Sequence, residues 1–336
     1  MTIDINVLTI LITIILVVFF LIIKNRVIIS KKIKLLDYPD KTRKNHKKPT
    51  SLINGLLIYL LLSFFFISDI IIMNSFSLKI NLIFLLLINI FYFIGYLDDL
   101  KNLSPSTKTF LIIFTLLILL PLEENFIIKE LLFENFTDKK ILLKQSSLFI
   151  TIFFIYIFYN LLNFSDGING VAISLSIYFI LILAIERTYL NNIELFLIIG
   201  LLVCLTLNLK NMSFLGNSGI SVLSIVISII YIHDYNISKN LLADEIFIIF
   251  FLPGIDMTRL VIERVVNHKK IYDADLNHFH HLLKKIISEK YIFLAYIVCA
   301  VIPYLISMII NNLIFVVLIN LLIYIFLVLK LIKISK

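Results

Sequence analysis

INLIFLLLINIFYFIGYLDD, residues 80–99, is the stretch that decides the fold class. Ile80 through Leu97 carries no charged side chain, and two aspartates then follow at once. A hydrocarbon core of about 30 Å needs about 20 helical residues to cross it. In lipid a single segment can satisfy its own backbone only as a helix. Comparable apolar runs recur near 3–23, 52–73, 80–97, 108–122, 147–163, 170–186, 193–209, 219–233, 242–259, 291–310 and 313–330. They predict an all-α, polytopic integral membrane helical bundle of about eleven transmembrane helices, forming a single membrane-embedded domain over 1–336.

Composition agrees with that reading. The 336 residues are 60% hydrophobic and only 15% charged, against about 25% charged in soluble domains; the mean hydropathy is +1.04. Cys204 and Cys299 both lie in expected spans, where isolated cysteines act as small buried hydrophobes rather than as a disulfide or metal pair. The first apolar run has no basic flank before it and no small-residue cleavage site, so it reads as a span and not a cleaved leader. Residues 123–146, with Glu123, Glu124, Glu130 and Lys140, read as an amphipathic connector able to lie on the membrane surface.

Lysine and arginine set the orientation, because cytoplasmic loops hold the excess. With the N-terminus outside and the C-terminus cytoplasmic, the inside loops take 23 of the 30 basic residues, chiefly through 24–51 and 259–290, and the outside loops take seven. This asymmetry explains the net charge of +8 with no nucleic-acid partner. Basic loops beside a bilayer favour anionic membrane lipids or phosphate.

Polar residues interrupt the apolar pattern in six clusters. They are Asp37-Tyr38-Pro39-Asp40 through Pro49-Thr50, Gly95-x-x-Asp98-Asp99, Asn160-x-x-Asn163-x-x-Asp166-Gly167-x-Asn169-Gly170, Gly216-Asn217-Ser218-Gly219, Asp256 through Arg264, and Asp275-x-x-His278-x-His280-His281. Each follows an odd-numbered span, so all six face the same cytoplasmic side. Polar groups at membrane depth are costly and mark function. One active site at the inner face is the expectation.

Each cluster suggests a chemistry. The adjacent Asp98 and Asp99 repel, so a partly buried pair either raises one pKa or binds a cation; a solvated loop with Lys101 and Lys108 is the plain alternative. Asn160, Asn163, Asp166 and Asn169 at three-residue spacing would line one helix face near its end, turned to the bundle interior or to another helix. The backbone N–H groups of Gly216–Gly219 would open a helix in a geometry suited to phosphate. Asp275, His278 and His281 at i, i+3, i+6 would share a helix face, the carboxylate fixing a histidine for phosphate binding or acid–base work. Zinc lacks a completing set of ligands. In the first loop the lysines serve orientation, while His46 and the prolines fit an ordered segment.

Together and in this order, over residues 37–283, these clusters resemble the polyprenyl-phosphate N-acetylhexosamine-1-phosphate transferase family (glycosyltransferase family 4). The resemblance is closest to the undecaprenyl-phosphate GlcNAc-1-phosphate transferase branch of O-antigen and teichoic acid initiation. It rests on Pro39-Asp40 through His46, Lys47-Lys48-Pro49-Thr50 and Gly55, on Gly95-x-x-Asp98-Asp99 with Leu103 and Lys108, and on Asp275-x-x-His278-x-His280-His281-Leu282. It implies transfer of a sugar-1-phosphate from a UDP-N-acetylhexosamine to undecaprenyl phosphate with release of UMP and use of Mg²⁺ or Mn²⁺. The implied location is the cytoplasmic face of a bacterial inner membrane, and a homodimer is ordinary for the family.

By the same carry-over, Asp98, Asp99, Asp166, His278 and His281 would be catalytic, and Asp98, Asp99, Asp166 and Asn217 would hold the metal. His46, Lys48, Lys108, Asn160, Asn163, Asn169, Arg264 and His280 would bind substrate. Two positions depart from the family, which usually has Asp where this chain has Asn217 and often where it has Asn169. An amide brings no charge, so weaker Mg²⁺ binding is expected. That departure leaves a catalytically impaired relative as one rival. A secondary transporter is the other, and it is disfavoured because transporters keep their polar groups near the midplane and often show inverted repeats.

Overall fold

The computed structural model describes residues 5–38, 49–133, 140–270, 277–310 and 312–334. His46, Lys48 and Asp275 lie outside them. In chain order the helices are α1 (Ile5–Lys24), α2 (Arg26–Lys32), α3 (Ile53–Ser68), α4 (Leu78–Lys101), α5 (Pro105–Leu119), α6 (Ser147–Ser165) and α7 (Val171–Arg187). They continue with α8 (Asn192–Leu209), α9 (Gly216–Ile237), α10 (Ala243–Ile249), α11 (Phe251–Val266), α12 (Phe279–Leu283), α13 (Ile292–Ser307) and α14 (Leu313–Ile334). Two short antiparallel ribbons complete the description, β1 (Leu36–Asp37) with β2 (Thr50–Ser51), and β3 (Glu130–Leu132) with β4 (Lys140–Leu142).

Among the described residues, nine helical stretches are long and apolar enough to cross a membrane. The other two of the eleven expected spans are helical but shorter or divided. The seventh helix, Val171–Arg187, has 17 residues. Residues 242–259 are divided at Phe250 into α10 and α11. The chain is a multi-pass helical membrane protein. The connector 123–146 forms a short ribbon where it is described: Glu130–Leu132 pairs with Lys140–Leu142, and Glu130 holds Lys140 at 2.5 Å and Lys239 at 2.9 Å.

The chain divides into two compact units, Met1–Glu124 with Tyr189–Ile229, and Asn125–Thr188 with Ile230–Lys336. In the first, α3 packs on α4 and α8, and α4 packs on α5. Ser77 caps α4 by accepting from the Ile80 N–H at 3.3 Å, as N-cap serines do. The helix stops at Asn102, which takes the left-handed conformation (φ 49°) while its N–H bonds back to the Asp98 carbonyl. Ser104 then caps α5, with Pro105 in the first turn where its missing N–H costs nothing. This tight α4–α5 turn brings Lys108 back beside Asp98. Gly95 lets the α4 backbone approach α9, since a Cβ there would collide with the Asn217 carbonyl.

In the second unit α13 touches α7, α10, α11, α12 and α14. Phe250, at the α10–α11 break, packs against Phe179 with ring centroids 4.6 Å apart and against Phe158 at 5.2 Å. Such aromatic packing adds about 0.5–1.5 kcal/mol per pair beyond area burial. It holds the break in place and so fixes where α11 begins.

Candidate functional site

Each unit gathers one polar cluster. In the first unit, the buried Asp98 accepts from the Leu103 N–H at 2.9 Å through one oxygen and from Lys108 Nζ at 2.7 Å through the other. Lys108 Nζ also lies 3.4 Å from the side-chain oxygen of Asn217. Asp99 turns its carboxylate onto the start of α9, accepting from the N–H groups of Asn217 (2.8 Å) and Ser218 (3.0 Å). A carboxylate is favoured there by the unpaired N–H groups and by the helix dipole. The expectation that this glycine-bracketed turn offers its N–H groups to phosphate is therefore corrected: Asp99 of the same chain already takes those of Asn217 and Ser218.

In the second unit the helical stripe expected from Asn160 to Asn169 does not form. α6 ends at Ser165, Asp166 is its C-cap, and Gly170 (φ 85°) starts α7, so Asp166 and Asn169 lie in a turn. Asn160 donates its amide N–H to the Tyr156 carbonyl of its own helix at 2.8 Å. The exposed Asp166–Gly167 corner instead meets the histidines. A Cβ on Gly167 would collide with the imidazole of His280 and lie 2.9 Å from that of His281, so this close approach requires glycine.

Nor do His278 and His281 share a helix face; Asp275 lies outside the described residues. His278 is the N-cap of α12, with an extended ψ of 148°, and the helix begins only at Phe279. The carboxylate that His278 faces is Asp256 on α11, 3.8 Å from Nδ1. The three imidazoles group closely: His278 stacks on His280 at 5.2 Å between centroids, and His280 lies 4.5 Å from His281. His280 is buried, and its Nε2 has no hydrogen-bond partner among the described residues. Burial first, then the neighbouring histidines, pushes its pKa well below the ordinary value. His280 therefore stays neutral near pH 7 and offers a hydrogen bond but no charge to a phosphate. Arg264 is buried, its guanidinium 5.4 Å from the centre of the Phe164 ring, and Phe164 packs edge-on against His278.

Asp256, Arg259 and Tyr324 carry no role in the sequence reading, yet they converge beside His278. Asp256 Oδ1 accepts from Arg259 at 2.8 Å and from the Tyr324 hydroxyl at 2.8 Å. The i, i+3 pairing of Asp256 with Arg259 in an apolar run is a signal the sequence does hold. Nothing in it marks Tyr324, a tyrosine in an apolar helix.

Mg²⁺ takes hard oxygen ligands, typically one or two carboxylates with substrate phosphates and water. Among the described residues no three carboxylate, imidazole or thiol groups converge as a metal centre. The first cluster does offer the right donors, since oxygens of Asp98 and Asn217 both turn toward one cation, the Lys108 ammonium. That set fits an ion completed by phosphate and water.

Residues 81–234 match the model of Glycosyl transferase family 4. This matched stretch covers under half of the chain. It takes in Asp98, Asp99, Lys108, Asn160, Asn163, Asp166, Asn169 and Asn217, and it ends before Asp256, Arg264 and the histidine turn. The match supports the glycosyltransferase reading of the motifs, and sugar-phosphate transfer as their general activity. No curated protein matches the chain.

Proposed function

We propose that this chain transfers N-acetylhexosamine-1-phosphate from a UDP-sugar to undecaprenyl phosphate and releases UMP, initiating a cell-surface glycan. It does so as a single transferase domain of eleven spans, with its N-terminus outside and its polar clusters at the cytoplasmic face of a bacterial inner membrane. The observation that carries this reading is the gathering of His280 and His281 against Gly167, with His278 and Arg264 beside them on the Phe164 ring. Cationic and hydrogen-bonding groups brought together in this way suit a nucleotide pyrophosphate.

In the reaction an oxygen of the lipid phosphate attacks the sugar-bearing phosphorus of the UDP-sugar. The bond from that phosphorus to the bridging oxygen breaks, and its electron pair leaves with UMP. Phosphoryl transfer asks a protein mainly for positioning and for stabilisation of negative charge. Lys108, steadied by Asp98, supplies a fixed ammonium to phosphate oxygens. Arg264, His278 and His281 hold the pyrophosphate, with Asp166 and Asn163 at the nucleotide. Asp99 keeps α9, and with it Asn217, in register with α4. Asp98 and Asn217 would hold Mg²⁺, which would supply further neutralisation of the phosphates.

Radiolabel transfer from a panel of UDP-sugars into lipid, with and without Mg²⁺, tests the reading. Labelled lipid together with UMP release is expected for a UDP-N-acetylhexosamine, and absence of both from every donor sinks the proposal. Asn217 favours one second reading, an impaired regulatory relative, because its amide leaves the cluster one negative charge short of an aspartate. UMP release by the wild-type chain excludes it.

A further inference from the structure

His278 is pinned through the backbone on both of its sides. On the C-terminal side, the Phe279 N–H donates to Asp256 Oδ2 at 3.0 Å. On the N-terminal side, the Asn277 carbonyl accepts from Arg259 Nη2 at 2.5 Å, and the Asn277 amide donates to Glu263 at 2.9 Å. Asp256 Oδ2, which takes the Phe279 N–H, also lies 3.8 Å from the His278 ring nitrogen. The backbone and the imidazole are thus referred to one carboxylate.

That carboxylate is itself held. Arg259 donates through Nε to the Tyr324 hydroxyl at 2.7 Å, through Nη1 to Glu263 at 3.1 Å, and through Nη2 to Asp256 at 2.8 Å. The Tyr324 hydroxyl accepts from Arg259 and donates to Asp256, so its single proton has one direction. With the Asn277 carbonyl included, four of the five guanidinium N–H groups have partners within the protein. An arginine so engaged near a phosphate site acts as a pin for the turn rather than as a ligand.

We propose that Arg259 and Tyr324 are positioning residues, which act through Asp256 to set the orientation of His278 toward the substrate pyrophosphate. This rests on the transferase reading of the histidine cluster. A charge-assisted network of this kind is rigid only when every member is satisfied. Loss of one hydroxyl should therefore loosen the turn without emptying the core, because the Tyr324 ring still packs on Phe279, with centroids 5.7 Å apart.

The test compares Tyr324→Phe, Arg259→Lys, Asp256→Asn and the double variant Asp256→Asn/Tyr324→Phe in the full-length protein. Three quantities are read in the same samples: steady-state kinetics of UMP release, the thermal midpoint, and the rate at which diethyl pyrocarbonate modifies His278, followed by mass spectrometry. Tyr324→Phe is expected to lower kcat/KM for the UDP-sugar about tenfold, the worth of one hydrogen bond to a charged group. The KM for undecaprenyl phosphate should stay at its wild-type value, the thermal midpoint should fall modestly because Arg259 Nε loses its acceptor, and His278 modification should accelerate. In the Asp256→Asn background the same change should add nothing, because the two residues form one path. If Tyr324→Phe fails to accumulate, Arg259→Lys makes the same comparison by keeping the charge and losing the planar fork. The proposal is overturned if His278 modification and kcat/KM stay unchanged, or if the double variant shows the full product of both effects. Should wild type release no UMP from any donor, the transferase reading falls, while the modification rates still decide whether the pin exists.

Discussion

The ammonium of Lys108 lies 2.7 Å from a carboxylate oxygen of Asp98 and 3.4 Å from the side-chain oxygen of Asn217. One cation thereby joins the end of α4 to the start of α9. Lys108 reaches this place because Asn102 and Pro105 reverse the chain between α4 and α5. Asp98 brings a negative charge to it, whereas Asn217 contributes only a dipole.

Asn217→Asp adds a carboxylate at that point. Half-maximal activity should then need less Mg²⁺, by about tenfold if one ligand charge is worth about 1.4 kcal/mol. A titration of activity against Mg²⁺ reads this directly. An unchanged half-maximal concentration would show that residue 217 does not face the ion.

Asp99→Asn should abolish UMP release and also loosen the start of α9. The two N–H groups use different oxygens of Asp99, so an amide in the same place sets its own N–H₂ group against one of them. Leaving one buried N–H unsatisfied costs about 1–3 kcal/mol. A lowered thermal midpoint together with lost UMP release is the expected pair. Full activity in this variant would contradict both roles.

Gly167→Ala should cut activity at least about tenfold, because the added methyl meets the His280 imidazole and pushes the Asp166 turn off the histidines. The small volume should leave membrane insertion intact. The measurement is kcat/KM for the UDP-sugar, normalised to protein in the membrane. An alanine variant as fast as wild type would mean that the turn and the histidines need not touch during the reaction.

The pH dependence of stability follows from His280. Its folded pKa lies well below the ordinary 6.5 because burial disfavours the cation. An unfolded chain takes up a proton near 6.5 while the folded protein does not, so the unfolded state binds more protons as pH falls below that value. Stability contributed by a neutral His280 is thus fully present above pH 6.5 and is lost on acidification. The thermal midpoint should drop between pH 7.5 and 5.5, and His280→Gln should shrink the drop. Equal slopes in the two proteins would assign the effect to other groups.

The membrane architecture was legible because a hydrophobic span is a long signal that many residues share. The polar residues at the span ends were equally plain, since each stands against an apolar background. What the sequence concealed were partnerships across distance. Asp99 sits next to Asp98, yet one caps a helix start far along the chain and the other holds a lysine. Spacing also misled where glycine or an extended residue stops a helix: Gly167 and Gly170 end the stripe after Asn163, and the extended His278 stays outside α12, which holds His280 and His281. The break at Phe250 was hidden because α10 and α11 are both apolar and read as one run. Tyr324 had no signal at all, because its role exists only through Asp256.

The hydroxyl that completes the pin on His278 is carried by α14, which the ribosome makes after every other helix described. Until that helix is inserted, Asp256 and Arg259 lack their third partner and the histidine turn is unfinished. The chain therefore matures its second cluster last, so an incompletely synthesised copy would sit in the bilayer with Lys108 already paired to Asp98 and the turn around His278 still slack.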